Sequence, residues 1–142
     1  MILQFKAEYP RLEMFRKFCI HMMHESWNRD PSRTDFRISP LELDPFFLEL
    51  IKQHKLGTKI TAIWVHWMLP KVDRALGHNH PYATAVYYIQ TPEGSGHLVL
   101  PELKEDIKPE EDLFVVIPPK AIHQMLENTG NGIRLAMAFN FE

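Results

Sequence analysis

The sequence predicts a mainly β protein, with several short antiparallel strands closed into a compact barrel or jelly roll and helices packed on one side. Three observations predict it. Helical signals are confined to residues 1–57. Period-two alternation of apolar residues takes over in residues 58–142. The apolar runs of that second part are short and are separated by turns rich in glycine, proline and asparagine.

The elements follow in order. Leu12, Phe15, Cys19, Met22 and Met23 recur at helical spacing behind Pro10, which predicts a helix from about Pro10 to Trp27. Asn28-Arg29-Asp30-Pro31-Ser32 is a turn by composition. Asp44 reads as an N-cap, Pro45 as the first helical residue and Gly57 as the residue just past the end of a second helix. Phe46, Phe47, Leu50 and Ile51 form its apolar stripe. From Thr58, Ile60, Ala62, Trp64 and His66 alternate with Thr61, Ile63, Val65 and Trp67. Both sets are largely apolar, so this strand is expected between a helix layer and a sheet. Further strands are expected near 84–90, 96–100, 113–117, 121–127 and 132–141. Residues 91–96 read as a tight connection, 128–132 as a hairpin loop and 104–112, rich in charge, as a solvated loop.

Composition narrows the function classes. At 142 residues the chain is expected to be one domain, 1–142, with 1–57 supporting a 58–142 core. A hydrophobic content of 45% and a charged content of 24% are those of an ordinary globular protein. A net charge of −2 gives no basic field for nucleic acid and no polybasic membrane patch. The single cysteine, Cys19, excludes an internal disulfide, and no apolar run approaches the ~20 residues of a membrane span. A cytoplasmic protein is the expectation. The expected partner is a small-molecule or peptide substrate, and a homodimer stays open.

The chemistry is carried by the histidines. His78 and His80 flank Asn79 just ahead of the run 85–89, and His123 follows the run 113–117 and the pair Pro118-Pro119. Residues i and i+2 of a strand share a face, so His78 and His80 reach one point, and an imidazole from a neighbouring strand completes a facial set. Neutral imidazole suits iron, zinc, copper or nickel. The other histidines read blandly. His21 and His24 lie on a helix with nothing to complete a site, His54 lies on the polar side of its helix, and His97 follows a turn from which it could face the cavity. His66 either lines the barrel or is a satisfied core histidine. Arg134 stands in the otherwise apolar run 133–139 and needs a partner there. A carboxylate such as Glu127 would make a salt bridge. The carboxylate of a bound acid would be gripped by the guanidinium fork, and the spacing of 11 residues after His123 favours that reading.

Taken together, His78-Asn79-His80-Pro81, the runs 86–89 and 92–96, Ile117-Pro118, His123, Arg134 and the run 138–141 resemble the iron(II)/2-oxoglutarate-dependent dioxygenases. The resemblance is to the prolyl-hydroxylase-like branch and to small phage-type oxygenases, over residues 60–142. It implies a double-stranded β-helix, a distorted jelly roll of cupin-like type with N-terminal supporting helices. It implies Fe(II) held by His78, His80 and His123, and 2-oxoglutarate held by Arg134 with help from Tyr88. His80 stands where that family has aspartate, and Ala136 where many members carry Ser or Thr. The chain is similar to the cupins too, through Gly77 to His80 and Pro118 to His123. There it departs at Thr84-Ala85, Lys120 and Glu127, and cupins give no reason for Arg134. Three functions follow: an Fe(II)/2-oxoglutarate oxygenase, a cupin-like three-histidine dioxygenase or isomerase without 2-oxoglutarate, and a non-enzymatic binding barrel. The resemblance ranks the oxygenase first.

Overall fold

The computed structural model describes residues 2–70 and 77–142. Two sheets face each other. The larger has six strands: β1 (Gln4–Lys6), β2 (Asp35–Ile38), β3 (Ile60–Met68), β4 (Ala83–Gln90), β7 (Leu113–Ile117) and β9 (Arg134–Phe141). Their order is β1-β7-β4-β9-β3-β2, with antiparallel pairing throughout. The smaller has β5 (Leu98–Leu100), β6 (Glu105–Ile107) and β8 (Gln124–Met125), in the order β6-β5-β8. From β4 onward the chain passes repeatedly from one sheet to the other, with β5 and β6 paired in the smaller one, which is the winding of a double-stranded β-helix.

The period-two pattern of β3, β4 and β9 divides their side chains between two cores. On one face Ile63, Val65, Ala85, Tyr87, Ile89, Met137 and Phe139 pack with Cys19 and Met23 of helix α1 (Leu12–Arg29) and Phe47, Leu50 and Ile51 of helix α2 (Pro45–Gln53). On the other, Val86, Tyr88, Val115, Ile117 and Ala136 pack with Leu98, Leu100 and Ile107 of the smaller sheet. The central strands are therefore covered on both sides, as their lack of a polar face predicts.

The second helix begins as the sequence reads. The Asp44 carboxylate accepts from the Phe46 N–H at 3.0 Å, and Pro45 opens the first turn. Its end differs. Lys55 takes the left-handed conformation expected of Gly57 (φ 56°). Gly57 instead allows close passage of the C-terminus, since a Cβ there would lie 2.8 Å from the Glu142 carbonyl oxygen.

Four further expectations need correction. Residues 1–57 are not only helical, because β1 and β2 form the two edges of the larger sheet. The charged stretch 104–112 contains β6, whose Ile107 is buried among the second core's residues. The strand expected over 121–127 is regular only at Gln124–Met125. Residues 128–132 are not a hairpin, because β8 and β9 belong to different sheets and the loop crosses between them. Asn128 holds that crossing, donating from its buried amide to Met68 O at 3.1 Å and Gly132 O at 2.8 Å.

Candidate metal centre and its cavity

His78 and His123 lie outside the regular strands but are fixed to each other by the backbone. The His78 N–H donates to His123 O at 3.0 Å, and the His123 N–H donates back to His78 O at 2.9 Å. His80 is tied to the same segment, its carbonyl accepting from the Lys120 N–H at 2.6 Å. Lys120 adopts a left-handed turn (φ 66°) that brings residues 118–123 back toward His80. This reciprocal pairing brings the three imidazoles together. Their ring centroids are 4.3 Å (His78–His123), 4.9 Å (His78–His80) and 5.3 Å (His80–His123) apart. One nitrogen from each lies within 4.8 Å of the other two, close enough to share an ion.

The chemistry of the donors fits a cation. His123 is buried, and its Nδ1 lies 3.0 Å from Ala121 O. A carbonyl only accepts, so Nδ1 carries the proton and Nε2 keeps a lone pair for a metal. Burial pushes the pKa of His123 down, with His78 and His80 adding to the effect against the Ala121 hydrogen bond. Burial and His78 push that of His80 down as well. Both rings are thereby held in the neutral form a metal requires.

The cluster opens into a cavity of about 380 Å³. Its walls include Trp64, His66, Met68, Val86, Tyr88 and Met125. The register explains their convergence. His66 of β3 lies opposite Ala136 of β9, which lies opposite Tyr88 of β4, while Met68 pairs with Arg134 one step deeper. Directly paired residues point to the same face, so one row presents an imidazole, a methyl and a phenol toward the smaller sheet.

Arg134 is 1% exposed. Its Nη1 donates to Gly96 O at 3.0 Å and its Nη2 to the Met125 sulfur at 3.1 Å. The alternative partner, a salt bridge with Glu127, is absent among the described residues, and Glu127 is exposed. Burial presses the Arg134 pKa down, opposed by Tyr88. Two buried polar atoms have no hydrogen-bond partner among the described residues: Arg134 Nε and Tyr88 Oη. A buried guanidinium and phenol left this way are costly unless a ligand completes them. A carboxylate fits both donors at once.

The remaining histidines resolve plainly. His97 pairs with Asp106 at 2.6 Å. His54 stacks on Phe5 with centroids 4.1 Å apart, so its apolar contact was missed in the sequence. His21 lies 3.9 Å from Glu25 on the surface of α1. His66 lines the cavity; it is not a satisfied core residue, having no hydrogen-bond partner among the described residues. Burial, then Arg134 and His78, push its pKa down to about 3. Cys19 is buried with its thiol pKa pushed up to about 12 by desolvation, which leaves it unreactive.

No protein-family model and no curated protein matches the chain. Solved structures do. A viral collagen prolyl hydroxylase from Paramecium Bursaria Chlorella virus-1, in its 2-oxoglutarate complex, is similar over 98% of this chain and 94% of its own, with a TM-score of 0.73 at 14% identity. A Pseudomonas putida prolyl-4-hydroxylase is similar over 99% and 92%, with a TM-score of 0.69 at 15% identity. HygX from Streptomyces hygroscopicus, with nickel and 2-oxoglutarate bound, is similar over 97% and 80%, with a TM-score of 0.62 at 14% identity. At these identities the likeness establishes the architecture: a double-stranded β-helix with N-terminal helices, shared with 2-oxoglutarate oxygenases.

Proposed function

We propose that the protein is a non-haem Fe(II)/2-oxoglutarate-dependent oxygenase that hydroxylates its substrate. One observation carries this reading. A cluster of three imidazoles opens into a cavity lined by Tyr88 and Met125, Arg134 donates to the Met125 sulfur, and Arg134 and Tyr88 each keep a buried polar atom with no partner among the described residues. The fold supports it, because the similar viral and bacterial structures include complexes with 2-oxoglutarate and nickel.

His78, His80 and His123 would hold the iron, and imidazole nitrogen is a suitable donor for it. Bound there with 2-oxoglutarate, iron supplies the oxidation, in which one oxygen atom of O₂ goes to a substrate C–H bond and the other to succinate, with release of CO₂. The chain's own part is positioning. Ala121 O fixes the His123 tautomer. Arg134 Nε and Tyr88 Oη would grip the carboxylate far from the metal, a two-point contact that sets the orientation of the acid. Trp64, Val86 and Met125 line the space between, where apolar side chains would disfavour water. Three imidazole ligands would add no negative charge to a bound metal, which would favour binding of an anionic 2-oxo acid beside them.

The cupin-like alternative shares the metal ligands and differs at Arg134. Anaerobic titration with Fe(II) and then 2-oxoglutarate is expected to give a weak visible charge-transfer band, and air is expected to release succinate. Arg134→Ala is expected to abolish both. No band and no succinate from the wild type would overturn the proposal. Activity that survives Arg134→Ala would favour the alternative.

A further inference from the structure

The metal ligands and the Arg134–Tyr88 pair leave one cavity histidine without a role. We propose that His66 is a third contact to the bound 2-oxo acid, its ring N–H donating a hydrogen bond to a carboxylate oxygen from the wall opposite Tyr88. The inference rests on the oxygenase reading above and assigns a residue which that reading does not use.

Position is the first argument. His66 and Tyr88 sit in one cross-strand row with only the Ala136 methyl between them. Both His66 and Tyr88 line the cavity into which the three imidazoles open, so the imidazole and the phenol face one space. His66 lines the same cavity as His78, His80 and His123, and Met68, two residues along β3 from it, is paired with Arg134. A dicarboxylate held by the metal cluster and the Arg134–Tyr88 pair would share the space this ring lines.

Satisfaction is the second. His66 is half-buried, lines the cavity and makes no hydrogen bond to any described residue, and its nitrogens are not among the fully buried unpaired atoms, so they are reachable from the cavity. A ligand that displaces water from them must offer a hydrogen-bond partner in return. The metal is not that partner, because His66 is outside the set whose nitrogens lie within 4.8 Å of one another. A fixed cation beside Arg134 would be repelled. A neutral ring adds a donor without adding charge, which is what a carboxylate already facing a guanidinium needs.

The test compares His66→Leu, which keeps bulk and removes the donor, with His66→Gln, which keeps a neutral N–H. Each is loaded with Mn(II) in place of iron, and 2-oxoglutarate binding is measured by calorimetry. His66→Leu is expected to weaken 2-oxoglutarate binding roughly tenfold to a hundredfold, as for a lost hydrogen bond to a charged group, and His66→Gln to recover most of it. Mn(II) affinity is expected to stay unchanged in both. A Leu variant that folds, shown by its melting curve, and binds 2-oxoglutarate as the wild type does would overturn the assignment. If the Leu variant does not fold, the wild type decides. In Zn(II)-loaded protein the ¹⁵N imidazole signals of His66 are expected to shift when 2-oxoglutarate is added, and unmoved signals would overturn the assignment. A wild type that binds metal but no 2-oxoglutarate would instead sink the oxygenase reading itself.

Discussion

Arg134 shows at the level of one side chain how function and stability pull apart. A guanidinium that is 1% exposed, with Nε unpaired among the described residues, is an expensive thing to fold around. Arg134→Met keeps the length and the apolar packing while removing the buried charge. It is expected to raise stability by about 1 kcal/mol, roughly 3 °C in melting temperature, while abolishing 2-oxoglutarate binding. A lower melting temperature for the methionine variant would show that the Gly96 and Met125 contacts outweigh the cost of burial. Much at this scale could be read from the sequence. Arg134 stood out as a charge inside an apolar strand, and His78 and His80 as an i,i+2 pair. Tyr88 was visible only by resemblance, because its neighbour Tyr87 is the same residue facing the other core. His66 read equally well as lining or core, since a strand apolar on both faces hides which face is the cavity.

Among the elements, α2 was the most legible because Asp44, Pro45 and the apolar stripe agree. Asp44 does more than cap. It also accepts from Arg11 Nε at 2.6 Å and from Tyr9 Oη at 2.7 Å. Those bonds, with Arg11 the largest contributor, hold its pKa at about 2. The folded value lies below the unfolded one, so the stabilisation is fully present above the unfolded pKa of about 4 and is lost as pH falls from there to about 2. Asp44→Asn keeps a capping oxygen but gives up the charge. Its melting temperature is expected to lie below wild type by a constant margin at neutral pH, and the margin is expected to close across that acid window. The least legible element was β6, whose one inward residue, Ile107, is surrounded in sequence by charge. Two acids, one half-buried and one exposed, and one apolar residue give no period to read. Ile107→Ala is nevertheless expected to cost about 2–4 kcal/mol in denaturant unfolding, against less than about 0.5 for Lys108→Ala.

For the whole molecule, the two cores on opposite faces of one sheet divide the labour. The helix-side core is dense with aromatic rings, Tyr9, Phe47, Tyr87 and Phe139 among them, and holds the sheet rigid. The other core is shared with the cavity and carries the polar side chains. The jelly-roll class was legible because a change of period at residue 58 is a long-range signal. The crossing of residues 128–132 was not, because glycine and asparagine serve a hairpin and a sheet-to-sheet passage equally well. Only the partner strands of β8 and β9 decide between them.

The mutual backbone clasp of His78 and His123 carries a last consequence. Two of the three ligands are already side by side through main-chain bonds that owe nothing to an ion. Loading is thus the filling of a prepared socket, unlike zinc fingers, where the ion must organise the chain. Stripping with a chelator is expected to leave the far-ultraviolet circular dichroism unaltered, to lower the melting temperature only by the mass-action share of the lost ligand, and to reverse fully on re-addition. On the proposed reading, a protein built this way would survive loss of its metal to oxidation or competition as an intact, rechargeable shell.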